Sequence, residues 1–373
     1  MRKNRLKYKY VLLFIVALLS TWCLFFSIAS IPTASPIALA KAPQASEWQV
    51  VSAFDLNLLR LLAKAHRPDQ DGAVGHNQQG YISVAFQRYS SEPIIYGVET
   101  KNVQLIETAV RAFEYAFAHQ NPDGSFPYKP PHAVSTPTAA DIASPVAGLY
   151  SDFGHSLLLL QDCEWFQKSE ETANLRVRLN QLLKPATTSL IWLMGQQAAL
   201  RQYDLKTTNL LFLDAAAYYL VGKALKHSDA VKLGESFTQL TLQQQTKAGF
   251  FLEKGGYDSS YQSVSLRLAL WLYTNLQSDA VSLKRDLWIA IEKGIRWELT
   301  RILPTGEVST EGNARVYSGG EKYFSKEKGV DYTQIILALN YYSKLSGNLV
   351  VQRVADQVLT FKREGDSGLS KIY

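Results

Sequence analysis

Apolar residues recur at helical spacing along most of this chain and hardly anywhere at the alternating spacing of a strand. Residues 51–66 put Phe54, Leu58, Leu61, Leu62 and Ala65 on one face, and 103–119 do the same with Ile106, Val110, Phe113 and Phe117. The same periodicity predicts helices over 142–166, 170–183, 189–203, 210–226, 229–246, 263–276, 283–303, 332–345 and 350–362. The best strand candidate is 81–86.

The breaks between these helices resemble one another. A short turn with Gly precedes an aliphatic or aromatic residue in Asp71–Gly72–Ala73–Val74, Asp123–Gly124–Ser125–Phe126, Ala248–Gly249–Phe250–Phe251 and Thr305–Gly306–Glu307–Val308. Glycine supplies the positive φ that a helix C-terminus needs. Their spacing is irregular, so any repeat is weakly marked. Antiparallel helix pairs with such returns predict an all-α fold, an α/α toroid (an incomplete α/α barrel), with a plain helical solenoid as runner-up. No linker divides residues 41–373, which read as one domain.

The first ten residues carry Arg2, Lys3, Arg5, Lys7 and Lys9, and an apolar run follows from Val11 to Ile31. Ala38–Leu39–Ala40 then offers a cleavage site. Residues 1–40 are therefore expected to be a signal peptide or, uncleaved, an N-terminal membrane anchor through 11–31. Either way the product is exported, to the periplasm, cell envelope or exterior. The formal charge of +6 comes mostly from this segment: removing its five bases from 39 leaves 34 against 33 acids. No basic stripe fit for nucleic acid remains. Cys163 is the only cysteine after Cys23, so the domain has no internal disulfide. The histidines lack metal-ligand spacing, and no phosphate-binding or dinucleotide motif occurs, so no cofactor or metal is expected.

Two stretches carry a family resemblance. Gln120–Asn121–Pro122–Asp123–Gly124–Ser125–Phe126 resembles the turns of α/α-toroid proteins. Gly249–Phe250–Phe251–Leu252–Glu253–Lys254–Gly255–Gly256–Tyr257–Asp258–Ser259–Ser260–Tyr261–Gln262, with Asn209 and Asp214 upstream, resembles the helical domain of alginate-lyase-like and heparinase-like polysaccharide lyases. That resemblance implies β-elimination at a uronic acid. Asn209, His155 or Arg315 would neutralise the carboxylate, and Tyr257 or Tyr261 would move protons.

The residues themselves leave more open. In the loop 253–262, Tyr257 and Tyr261 offer stacking faces and hydroxyls, Gln262 an amide, and Glu253 and Asp258 an acid/base pair. The plainer alternative is a turn in which Asp258 caps the next helix and Tyr261 packs. A long loop over 304–330 holds Glu311, Asn313, Arg315 and Tyr317, and its Arg315 suits a carboxylate. His155 stands near Tyr150 and Asp152 as a base or a core histidine, and Asn209 as an amide donor or a helix cap. Three functions compete: a lyase on an acidic polysaccharide, a glycosidase using Glu253 or Asp258 with Glu311, and a non-catalytic glycan-binding or envelope-assembly protein.

Overall fold

The computed structural model describes residues 43–64, 67–129, 136–323 and 325–369. The expected leader or anchor at 1–40 and the helix end at His66 lie outside them. Helices dominate: α1 (Glu47–Val51), α2 (Leu56–Leu62), α3 (Ser91–Glu99), α4 (Val103–Ala118), α5 (Ala139–Asp162), α6 (Glu164–Lys168), α7 (Ala173–Gly195), α8 (Gln197–Asp204), α9 (Thr208–Ala224), α10 (Ser228–Leu242), α11 (Ser259–Asn275) and α12 (Val281–Leu299), then α13 (Tyr332–Ser346) and α14 (Leu349–Leu369). A hairpin of β1 (Lys322–Tyr323) and β2 (Lys326–Glu327) interrupts the series. No helix among the described residues is long and apolar enough to cross a membrane.

Inner and outer helices alternate along the chain. Helix α9 is apolar all round and almost wholly buried; it packs between α5 and α11, and α11 packs on α13. These four, with α3 beside α5, form an inner layer. Each is followed by an amphipathic outer partner: α4 after α3, α7 after α5, α10 after α9, α12 after α11, α14 after α13. The fold is an α/α toroid of antiparallel pairs, and one continuous apolar core runs from Val50 to Val358.

The glycine turns prove to be one repeated device. In each, the N–H of the first residue reaches a carbonyl four residues on, and the glycine N–H returns to that first residue: Asp69/Gly72/Ala73, Asn121/Gly124/Ser125, Thr246/Gly249/Phe250 and Leu303/Gly306/Glu307. All four glycines have φ between +87° and +105°. Each lies against the backbone of the next outer helix, so that a Cβ on Gly124 would fall 2.6 Å from the Thr188 carbonyl oxygen and one on Gly306 2.4 Å from that of Gln357. The repeat is therefore structural, and the intervening helix lengths hide it in sequence.

Short α1 closes the ring. It packs on α5, α11 and α13, and buried Glu47 meets His155 of α5, Asn275 of α11 and the Tyr341 hydroxyl of α13. The Trp48 indole donates to the Leu159 carbonyl at 2.7 Å. An open solenoid has no such closing contact.

Several boundaries differ from expectation. The segment 81–86 is a 3-10 turn over Val84–Phe86 rather than a strand, because the Asn77 side chain takes the Ile82 and Ser83 N–H groups that a ladder would use. Helix α3 lies outside the predicted helices; its Pro93 falls in the first turn, where no intrahelical N–H bond is lost. The separate helices expected over 170–183 and 189–203 are bridged by α7, which runs through Pro185. A helix proline costs about 3 kcal/mol, whereas each buried Leu returns about 1.5–3 kcal/mol, and Leu182, Leu190 and Leu193 are all buried. The expected helix over 51–66 is two helices, since Asp55 caps α2 afresh.

Glu47→Ala removes a shared partner from three inner helices at once. Removing one side of a buried polar pair costs about 3–5 kcal/mol, so a marked fall in the urea midpoint is expected; an unchanged midpoint would rule out the closing role.

Candidate functional site

A cleft of about 530 Å³ opens at the N-terminal ends of the inner helices. Arg88 and Tyr89 precede α3, Asn209 and Leu210 begin α9, Ser260 and Tyr261 begin α11, and Asp331 and Gln334 flank the start of α13. Gly148, Ser151 and Asp152 come from the middle of α5, while Arg315, Tyr323 and Lys328 come from the long loop before α13.

The two polar loops singled out in the sequence interlock. The Arg315 and Val316 N–H groups donate to Asp258 Oδ2 at 3.0 and 2.7 Å, and the Ala314 N–H donates to the Tyr257 carbonyl at 2.8 Å. Asn313 clamps the start of α11: its Oδ1 accepts from the Ser259 N–H at 3.0 Å. Together the loops deliver Tyr261 and Arg315 to one wall, with Asn209 beside them. The Arg315 guanidinium lies 3.6 Å from the Tyr261 ring centre, and Lys328 Nζ donates to the Tyr261 hydroxyl at 2.9 Å.

Arg315 is thoroughly engaged. Its Nη1 donates to Glu253 at 2.9 Å and to Asn209 Oδ1 at 3.2 Å, and its Nη2 to Glu321 at 3.1 Å. Burial pushes the Glu253 carboxyl up to about 7, although Arg315 and the Asn209 N–H pull it back. Burial works the same way on Glu321, but bonds from Lys254 and Lys328 and the charge of Arg315 bring it down to about 2.

The other residues singled out from the sequence lie away from the cleft wall. Asp258 accepts four backbone N–H bonds, two per oxygen, and burial raises its carboxyl. Glu253 is 1% exposed and also accepts the Asn209 N–H of α9. Gln262 accepts the Phe251 N–H at 2.9 Å beneath the glycine turn. Tyr257 packs between Phe250 and Trp297 and donates to the Glu311 carbonyl. The Glu311 side chain and Tyr317 are exposed and outside the cleft lining. His155 is enclosed, stacked on Trp271 at 3.7 Å and bonded to Glu47.

Sequence reasoning missed Arg88, Tyr89, Arg267, Lys328 and Asp331. Arg267 lies within α11 and the others sit before helices or in a loop, and only the ring brings them together. Asp152 was noted only as a neighbour of His155. It accepts from the Ser90 N–H at 2.7 Å and from the Ser91 N–H and hydroxyl, capping α3 from α5. Burial and Glu92 push its carboxyl up, and those hydrogen bonds oppose the rise. Among the described residues no three His, Cys, Asp or Glu side chains gather as a metal site requires.

Neither a protein-family model nor a curated protein matches the chain. Two solved structures are similar to it. One is a UGL variant with dGlcA-Glc-Rha-Glc, 14% identical over 85% of this chain and 83% of that one, with a TM-score of 0.46. The other is the unsaturated glucuronyl hydrolase of Bacillus sp. GL1, described as responsible for glycosaminoglycan degradation, 14% identical over 85% of each chain, with a TM-score of 0.45. Likeness at this level says nothing of chemistry, which rests on the cleft's own atoms.

Two measurements test the buried carboxyls. Glu298, enclosed beside the site, accepts from the Ser263 hydroxyl at 3.0 Å, and burial pushes it from an ordinary 4.5 up to about 8. A raised folded-state value means the folded protein holds more protons than the unfolded chain. Its stabilising contribution is thus full below about 4.5 and lost as pH rises through about 8. Glu298→Gln should flatten the fall in urea midpoint across that window; parallel curves for variant and wild type would contradict it. Asp258→Asn replaces one acceptor oxygen by a donor facing the Arg315 and Val316 N–H groups. A loss of about 1–3 kcal/mol is expected, and a melting temperature equal to wild type would show that Asp258 is not the clamp.

Proposed function

We propose that this protein binds an acidic polysaccharide in the cleft and breaks it by β-elimination. The observation that carries the reading is the meeting of Tyr261, Arg315 and Asn209 on one wall, with Lys328 bonded to the Tyr261 hydroxyl. Glu253 and Glu321 hold Arg315 in place, so the guanidinium orients Asn209 through its Oδ1. The Asn209 amide N–H₂ then donates to the uronate carboxylate, making the proton on C5 more acidic. Tyr261, as the phenolate held by Lys328, takes that proton. The electron pair forms the C4–C5 double bond as the C4–O bond breaks, and Tyr261 returns the proton to the leaving oxygen. The ammonium of Lys328 compensates negative charge on the tyrosine oxygen during the transfer.

Hydrolysis by paired carboxylates would fall to Asp152 and Asp331, the two that line the cleft. Both already serve as helix caps, which favours elimination as the reading. The basic, apolar opening of the sequence supports an exported site of action.

Incubation with a polyuronate should produce the ultraviolet band of a 4,5-unsaturated uronate. Tyr261→Phe should cut the rate by about 10²–10⁴ while the melting temperature stays near wild type. New reducing ends without the band would replace elimination by hydrolysis, and binding without either product would leave a glycan-binding protein.

A further inference from the structure

The cations of the cleft differ in how far their charge is already matched. Arg267 pairs with Glu92 at 3.1 Å, Arg315 with Glu253 and Glu321, and Lys328 with Glu321 at 2.8 Å. Arg88 has no carboxylate within ion-pair distance among the described residues, and it donates no hydrogen bond among them. Its Nε is buried without an acceptor. The side chain is nonetheless held in place. Its guanidinium lies over the Tyr89 ring, 5.0 Å from the centre, and rests against α5 at Gly148, where a Cβ would come 3.4 Å from Nη1.

A half-buried guanidinium with unmet donors is costly to keep, because a buried polar group without a partner gives up its bonds to water and gains none in return. The cost is recovered when an anion arrives. Of the two carboxylates that line the cleft, Asp152 is already committed to the Ser90 and Ser91 groups and Asp331 to the start of α13. The planar fork of an arginine matches the two oxygens of a carboxylate.

We propose that Arg88 is the specificity-determining anchor of the cleft, binding the carboxylate of a uronic acid residue of the substrate. The assignment rests on the acidic-polysaccharide reading above but is independent of how the chain is cleaved. It gives Arg88 a role separate from that of Asn209: Asn209 serves the reacting sugar, and Arg88 selects acidic chains over neutral ones.

The test is calorimetric binding of a uronate oligosaccharide and of the same oligosaccharide with its carboxyl groups reduced to alcohols. Wild type should bind the acidic form more tightly. Arg88→Gln should weaken the acidic form about 10–100-fold, the worth of a charged hydrogen-bonded contact, and leave the reduced form unchanged. Arg88→Lys should recover part of the loss, since charge remains while the fork is gone. Thermal melts of both variants near wild type exclude misfolding, and the unchanged affinity for the reduced form checks the same point. Equal weakening of both forms, or none, would overturn the role of Arg88 while leaving the glycan reading in place. Arg88-dependent binding confined to a sulfated neutral oligosaccharide would overturn the carboxylate assignment. If wild type bound neither form, the acidic-polysaccharide reading would fall and the Arg88 assignment with it.

Discussion

The inner helices α3, α9 and α11 begin on buried residues, so their first amide N–H groups must be satisfied away from bulk water. Here carboxylates borrowed from neighbouring elements, or standing at the N-cap, meet that demand. Asp152 of α5 caps α3, Glu253 caps α9, Asp258 caps α11 and Asp331 caps α13. Each joins a negative side chain to the positive end of a helix. The shape of the cleft depends on these joints, because the residues that line it stand within a few positions of them.

The caps explain why a row of acids beside a cavity need not be a catalytic set. Asp258 holds two loops and a helix with its two oxygens, and Glu253 fixes both α9 and Arg315. The positive ends of the helices are largely compensated by the protein itself. What remains for a ligand is carried by side chains: the amide of Asn209, the hydroxyl of Tyr261 and the guanidinium of Arg88.

Much of the fold was legible from residue order. Helical periodicity located most of the helices, and the glycine turns announced their returns. Helix limits that depend on tertiary packing were not legible, as where α7 spans the gap between 183 and 189, because local propensity cannot see burial on the far side of a helix. The site was legible only where sequence and space coincide. Asn209, Tyr261 and Arg315 stood in polar loops conspicuous against apolar helices, whereas Arg88 and Lys328 have neighbours that reveal nothing until the ring closes. Asp258 shows the converse problem, since a cap and a general acid are spelled alike, a carboxylate just ahead of a helix, and Glu253 caps α9 from 44 positions downstream of Asn209.

The closing contact at Glu47 also bears on how the chain reaches its fold. Glu47 and Tyr341 are 294 positions apart, and loops of that length form late, after local helix pairs are already in place. During synthesis the early pairs must wait with their inner faces uncovered, in the state most open to aggregation or chaperone capture. A chain emerging from its N-terminus carries a stopper that has no vessel until α13 has followed it.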